Sequence, residues 1–186
     1  RETYSDSGTP DIRESYIDGG HPYWAMQAFA LWLIPREDTF WNAADGQLPV
    51  EKSDFVRSLE QPGMVLTGSK ASGQVKLFQG KSSKADWHYR DKYNKFVYST
   101  DFPMDIVQKK DVCPWDNAAV LRDRRTRKSA GRGELEHGQT LPSGIEVAYT
   151  IAFRGVKANI RSTIFAEGEF ELRLHRVIAT VEPDAA

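Results

Sequence analysis

The sequence holds one cysteine, Cys113, so its 186 residues cannot form an internal disulfide. Four histidines, His21, His88, His137 and His175, are scattered with no H-x-x-x-H pair, no C-x-x-C and no carboxylate at ligand spacing, which leaves a metal site without support. Phosphate-cradling glycine patterns are missing as well. Gly131-Arg132-Gly133 lacks the third glycine and following helix of a dinucleotide fingerprint, and no G-x-x-x-x-G-K occurs, so no cofactor is expected. Neither sign of charge prevails: 25 Lys and Arg stand against 26 Asp and Glu, and the net charge of -1 calls for no nucleic acid or membrane as partner. No apolar run reaches the roughly 20 residues of a membrane span. The longest, residues 23–34, is interrupted by Gln27. Neither an initiator Met nor a basic-then-apolar leader precedes Arg1; the chain reads as a soluble piece of a longer protein, with the cytoplasm favoured.

What is present is core material, 40% apolar and 11% aromatic, too much for a disordered chain. Pro22 can open a helix and Pro35 stop it. The residues between, Tyr23-Trp24-Ala25-Met26-Gln27-Ala28-Phe29-Ala30-Leu31-Trp32-Leu33-Ile34, leave no polar face at 3.6 residues per turn. A helix apolar all round must be buried on every side, yet no second amphipathic helix of similar length follows. Either the helix is separated from its neighbours, or it lies against the rest of the chain with one flank open.

Residues 36–62 read as a linker, with Asp38-Thr39-Phe40-Trp41 as a capped turn and Leu48-Pro49-Val50 as an extended tether. Beyond it the period becomes two. Ile145, Val147, Tyr149, Ile151 and Phe153 alternate with Glu146, Ala148, Thr150 and Ala152, and Val156, Ala158, Ile160, Ser162 and Ile164 repeat the pattern after an Arg154-Gly155 hairpin turn. Phe170, Leu172 and Leu174 begin a third strand whose apolar phase shifts to Val177 and Ala179, as a bulge would cause. Earlier strands are expected at 64–67, 73–78, 95–105 and 118–122. The fold class is therefore mainly β, an antiparallel β-sandwich over 63–186, preceded by one buried α-helix within 1–35.

Chemistry-bearing residues gather in two places. Asp86-Trp87-His88-Tyr89-Arg90-Asp91-Lys92-Tyr93-Asn94-Lys95-Phe96-Val97-Tyr98 packs aromatics with cations. Aromatic faces stack on the C–H side of a pyranose while Lys, Arg and His donate to hydroxyls or a uronate carboxylate, so His88, Lys92, Tyr93, Lys95 and Tyr98 are candidate substrate-binding residues. A sheet surface of alternating Tyr and Lys has the same composition without a ligand. His21, Tyr23 and Trp24 form the second group, at a helix start where free N–H donors favour anions, though plain capping explains them too. Cys113 reads as a half-buried loop thiol, and the basic run Arg122 to Lys128 as a solvated hairpin, having no aromatics for base stacking.

Glu14-Ser15-Tyr16, Gly19-Gly20-His21-Pro22-Tyr23-Trp24-Ala25 and Lys92-Tyr93-Asn94-Lys95-Phe96-Val97-Tyr98-Ser99-Thr100 resemble signatures of glycoside hydrolase family 154, first catalogued as domain-of-unknown-function family 2264. The likeness continues through Phe40-Trp41, Leu48-Pro49, Gly73-Gln74-Val75, Asp116-Asn117-Ala118 and Leu172-Arg173-Leu174-His175-Arg176. It departs at His21, where the family pattern has Ser. The resemblance implies an N-terminal α-helical toroid carrying the catalytic machinery, a C-terminal β-sandwich, and β-glucuronidase-type activity in some members. This chain would then be the last toroid helix and part of the sandwich, with the missing toroid as its partner and a uronic-acid-containing glycan as ligand. No catalytic acid and base can be named, since Glu134 and Glu136 are merely neighbours on one strand face and no pair set about 5 to 9.5 Å apart is identifiable. A self-standing module holding an acidic glycan through His88, Arg90, Lys92 and Lys95 is the alternative, and a purely structural domain the third reading.

Overall fold

The computed structural model describes residues 26–81, 90–102, 104–106 and 111–181. They fall into two compact units, Arg1–Gln47 and Leu48–Ala186. In the first, the apolar run is helical over Gln27–Leu33 but wound as a 3-10 helix, and none of its residues is buried. Trp32 is 80% and Leu33 85% exposed, so the helix expected to be buried is present with its hydrocarbon uncovered among the described residues. The turn expected at Asp38 forms as a second 3-10 segment, Thr39–Asn42, where the Asp38 carboxylate accepts the Phe40 N–H at 2.8 Å.

The second unit is mainly β and antiparallel throughout. Strands β1 (Phe55–Leu59), β2 (Met64–Gly68), β3 (Val75–Gln79) and β4 (Val97–Ser99) form one sheet in sequential order. β5 (Val120–Arg122) and β6 (Ser129–Gly131) make a separate hairpin. β7 (His137–Leu141), β8 (Gly144–Phe153), β9 (Val156–Glu167) and β10 (Phe170–Val181) make the other four-stranded sheet, with β10 and β7 at its edges. One core joins the two large sheets: Val65, Phe78, Phe96 and Val97 from the first meet Ile145, Val147, Tyr149, Ile151, Ala158, Ile160 and Ile164 from the second. Every second residue from Ile145 to Ile151 in β8 and from Ala158 to Ile164 in β9 is buried, which is the alternation a half-covered strand requires. Arg154 (φ 50°) and Gly155 (φ 72°) both adopt positive φ, the primed turn whose twist matches the flanking strands.

Three expectations are corrected. The sandwich begins before residue 63: β1 lies inside the stretch read as linker and pairs with β2 from Phe55 opposite Gly68 to Leu59 opposite Met64. β1 is an edge strand with four of its five residues exposed, so it carries no alternation to betray it. The long strand expected over 95–105 is only Val97–Ser99. The bulge in β10 is absent, because β10 pairs with β9 in unbroken register from Phe170 to Val181. Paired residues share a face, so Phe170, Leu172, Leu174 and Ile178 lie on the outer face beside Phe165, while His175, Val177 and Ala179 stand on the inner side with Ser162, Ile160 and Ala158. What looked like a phase shift is two faces of one strand, each apolar in a different half.

Candidate functional site

His21, Tyr23, Trp24 and His88 lie outside the described residues, as does the Arg90 side chain. The structure places Lys92 and Tyr93 on a short helix, Arg90–Tyr93, Lys95 on the segment leading into β4, and Tyr98 in β4 itself. They divide into two pairs. Lys92 is half-buried and Tyr93 exposed, with the Lys92 ammonium 5.4 Å from the Tyr93 ring centroid. Lys95 and Tyr98 turn the other way.

Lys95 is 1% exposed, and its Nζ donates to the Asp116 carboxylate at 2.6 Å and the Asp116 carbonyl at 3.2 Å. The other carboxylate oxygen of Asp116 accepts the Asp105 N–H at 3.1 Å. An ammonium so enclosed cannot reach an external sugar, and Lys95 is therefore reassigned from ligand contact to a buried ion pair. Tyr98 is likewise an anchor: its hydroxyl donates to the Lys92 carbonyl at 2.7 Å and accepts the Lys95 N–H at 3.3 Å. Burial, outweighing the Lys95 N–H bond, raises the Tyr98 hydroxyl above the usual phenol range.

Arg132, between two glycines on the strand side of this segment, completes the cluster. Its guanidinium donates from Nε to the Asn94 carbonyl at 2.9 Å and from one terminal nitrogen to the Lys95 carbonyl at 3.1 Å, and lies 4.7 Å over the Phe96 ring. Burial pushes its pKa down to about 10. Behind it, Tyr149, Ser162 and His175 form a chain, with 3.2 Å between the two hydroxyls and 2.8 Å from Ser162 Oγ to His175 Nδ1. A serine beside a histidine invites a nucleophile reading, but Ser162 is 0% exposed and no carboxylate is recorded on His175. Burial, and then Arg173, lower the His175 pKa, so the ring is held neutral. Among the described residues no group of three or more His, Cys, Asp or Glu is placed to hold a metal ion. The basic run is a hairpin turn, as expected: Asp123, held down to about 2 chiefly by the Thr126 N–H, also accepts from Arg125 and from Arg154 at 2.7 Å.

An open groove lies elsewhere in this unit. A groove of about 460 Å³ runs between the two large sheets at one end of the sandwich, lined by Asp54 and Phe55 before and in β1, Thr67 and Gly68 of β2, the β2–β3 turn, Lys76 of β3, and Ser143 and Glu169 from two turns of the other sheet. Sequence reasoning missed it. Its members are spread over more than a hundred residues, and only the pairing of β1 with β2 brings Asp54 and Phe55 beside Lys76.

The fold and site thus define a mainly β, two-sheet domain with a buried ionic cluster at one side and an open polar groove at one end. Compared with protein-family models, curated proteins and solved structures, the chain matches none. No helix among the described residues is long and apolar enough to cross a membrane.

Proposed function

We propose that this chain is a C-terminal portion of a carbohydrate-active enzyme of the glycoside hydrolase family 154 type, in which the sandwich buttresses a catalytic α-helical toroid and lines part of its sugar cleft. The observation that carries the reading is the uncovered helix Gln27–Leu33, with Phe29 50%, Trp32 80% and Leu33 85% exposed. Leaving such residues in water forgoes about 1.5–3 kcal/mol per side chain, which a helix within a toroid would recover. The ordered motifs from Glu14 to Arg176 support the family assignment. Of the described candidates, Tyr93 is exposed and Lys92 half-buried beside it, and these two are the ones proposed to meet a glycan.

On this reading the chain alone has no catalytic acid and base and does not hydrolyse a glycoside. The test is twofold. The reading frame upstream of Arg1 should encode several hundred helix-periodic residues, roughly two to four domains' worth, and the longer product should release the aglycone from an aryl β-glucuronide. Turnover by the isolated chain, or a frame that begins at Arg1, would overturn the proposal.

A further inference from the structure

The groove at the end of the sandwich has its own chemistry, independent of the toroid reading. Phe55 pairs with Gly68, and a side chain at Gly68 would collide with the Phe55 ring, so the ring lies over the glycine backbone and both residues line the groove. Lys76 is 9% exposed, and its ammonium donates to the Glu169 carbonyl at 3.1 Å, which occupies one of its three N–H bonds. Asp54 uses one carboxylate oxygen on the Lys70 N–H at 2.7 Å. Glu169 lines the opposite wall.

Each charge excludes a class of ligand. The acidic residues of the rim, Asp54 and Glu169, disfavour an acidic sugar or a phosphate, and the Lys76 ammonium disfavours an amine. A neutral ring that is apolar on one side and hydroxylated around its edge meets every element present: an aromatic face to stack on, carboxylate acceptors, and an ammonium donor. The volume of about 460 Å³ is that of a small-molecule pocket. We infer that this groove is a binding site for a neutral pyranose unit, stacked on Phe55 and hydrogen-bonded by Asp54, Lys76 and Glu169. It lies on the sandwich itself.

The experiment is an NMR titration of the whole 186-residue chain, labelled with nitrogen-15, using cellotriose and maltotriose as neutral probes and trigalacturonate as the acidic one. A neutral probe should shift the amides of Gly68, Ser69, Gln74 and Gly168, and trigalacturonate should bind about threefold more weakly. Phe55→Ala, if its spectrum stays dispersed, should weaken the neutral sugar by about tenfold. The paired change Asp54→Asn with Glu169→Gln keeps the aromatic wall and should bring trigalacturonate level with the neutral probes. Absence of shifts at these amides with both neutral probes overturns the inference. So does undiminished binding in a folded Phe55→Ala chain, or an unchanged preference in the double variant. None of these results bears on the upstream reading frame, so the two proposals fail separately.

Discussion

Strands β9 and β10 face each other over twelve residue pairs and draw on the same aliphatic and charged residues, yet they sit in different surroundings. β9 hides Ala158, Ile160, Ser162 and Ile164 beneath the opposite sheet. β10 hides none: Leu172, Leu174, Val177, Ile178 and Val181 are all exposed, on both of its faces, and among the described residues no strand pairs with its outer edge. Alternation reports that a segment is a strand, but coverage depends on what else packs there. A twelve-residue edge with aliphatic groups on both faces and no proline or bulge is left with its charges, Glu171, Arg173 and Arg176, as the devices that protect it.

The sharpest way to break this contrast is to truncate one aliphatic side chain on each strand. Ile164→Ala should cost about 3 kcal/mol, because it opens a cavity in a fully buried site. Leu174→Ala, at 62% exposure, should stay within about 0.5 kcal/mol. Urea denaturation measures both; equal losses would mean that β10 is covered in solution. Charged pairs supply the next comparison. Asp116→Ala leaves Lys95 enclosed without its counter-charge and should cost about 3 kcal/mol, at the low end for a buried pair since Asp116 is 29% exposed. Glu171→Ala removes the carboxylate paired with Arg173 on β10 and should cost under about 1 kcal/mol. A small loss in the Asp116 variant would show that Lys95 finds water and is not truly buried.

Glycine supplies a third, backbone test. β7 passes so close to the turn after β3 that a side chain at Gly138 would strike the Gly80 carbonyl. Gly138→Ala should therefore cost about 1–3 kcal/mol of stability, read from urea denaturation, whereas Gly168→Ala meets no atom and is penalised only by its φ of 57°.

The regular hairpins were legible in the sequence because their periodicity is local. Ile145 to Ile151 and Ala158 to Ile164 alternate strictly, and Arg154-Gly155 has the residues a primed turn needs. β1 and β7 were not, since Phe55-Val56-Arg57-Ser58-Leu59 and His137-Gly138-Gln139-Thr140-Leu141 are edge strands with little buried to impose a pattern. The candidate site was half legible for a related reason. Tyr93 is exposed and Lys92 half-buried, whereas Lys95, indistinguishable from them by composition, is enclosed. Its fate is decided by Asp116, twenty-one residues on, and by Arg132 donating to its carbonyl. The groove was illegible altogether, because it exists only after β1 has paired.

His175 lies where the two regions meet, on the open strand but pointing to the inner side, and it yields the smallest effect. Its Nδ1 meets Ser162 and its ring centroid lies 5.9 Å from that of Phe96, so partial burial depresses its pKa below the ordinary value of 6.5. In the unfolded chain the imidazole regains that value and takes up a proton at higher pH than the folded chain does. Between the two pKa values the unfolded state holds more protons, so stability is complete above pH 6.5 and declines as pH falls toward the folded pKa. His175→Gln should flatten that part of the stability-versus-pH curve while leaving the plateau above it little changed. If the imidazole instead titrates above 6.5 by NMR, β10 is pulled away from Ser162 in solution, and the inner half of this strand is as open as the outer one.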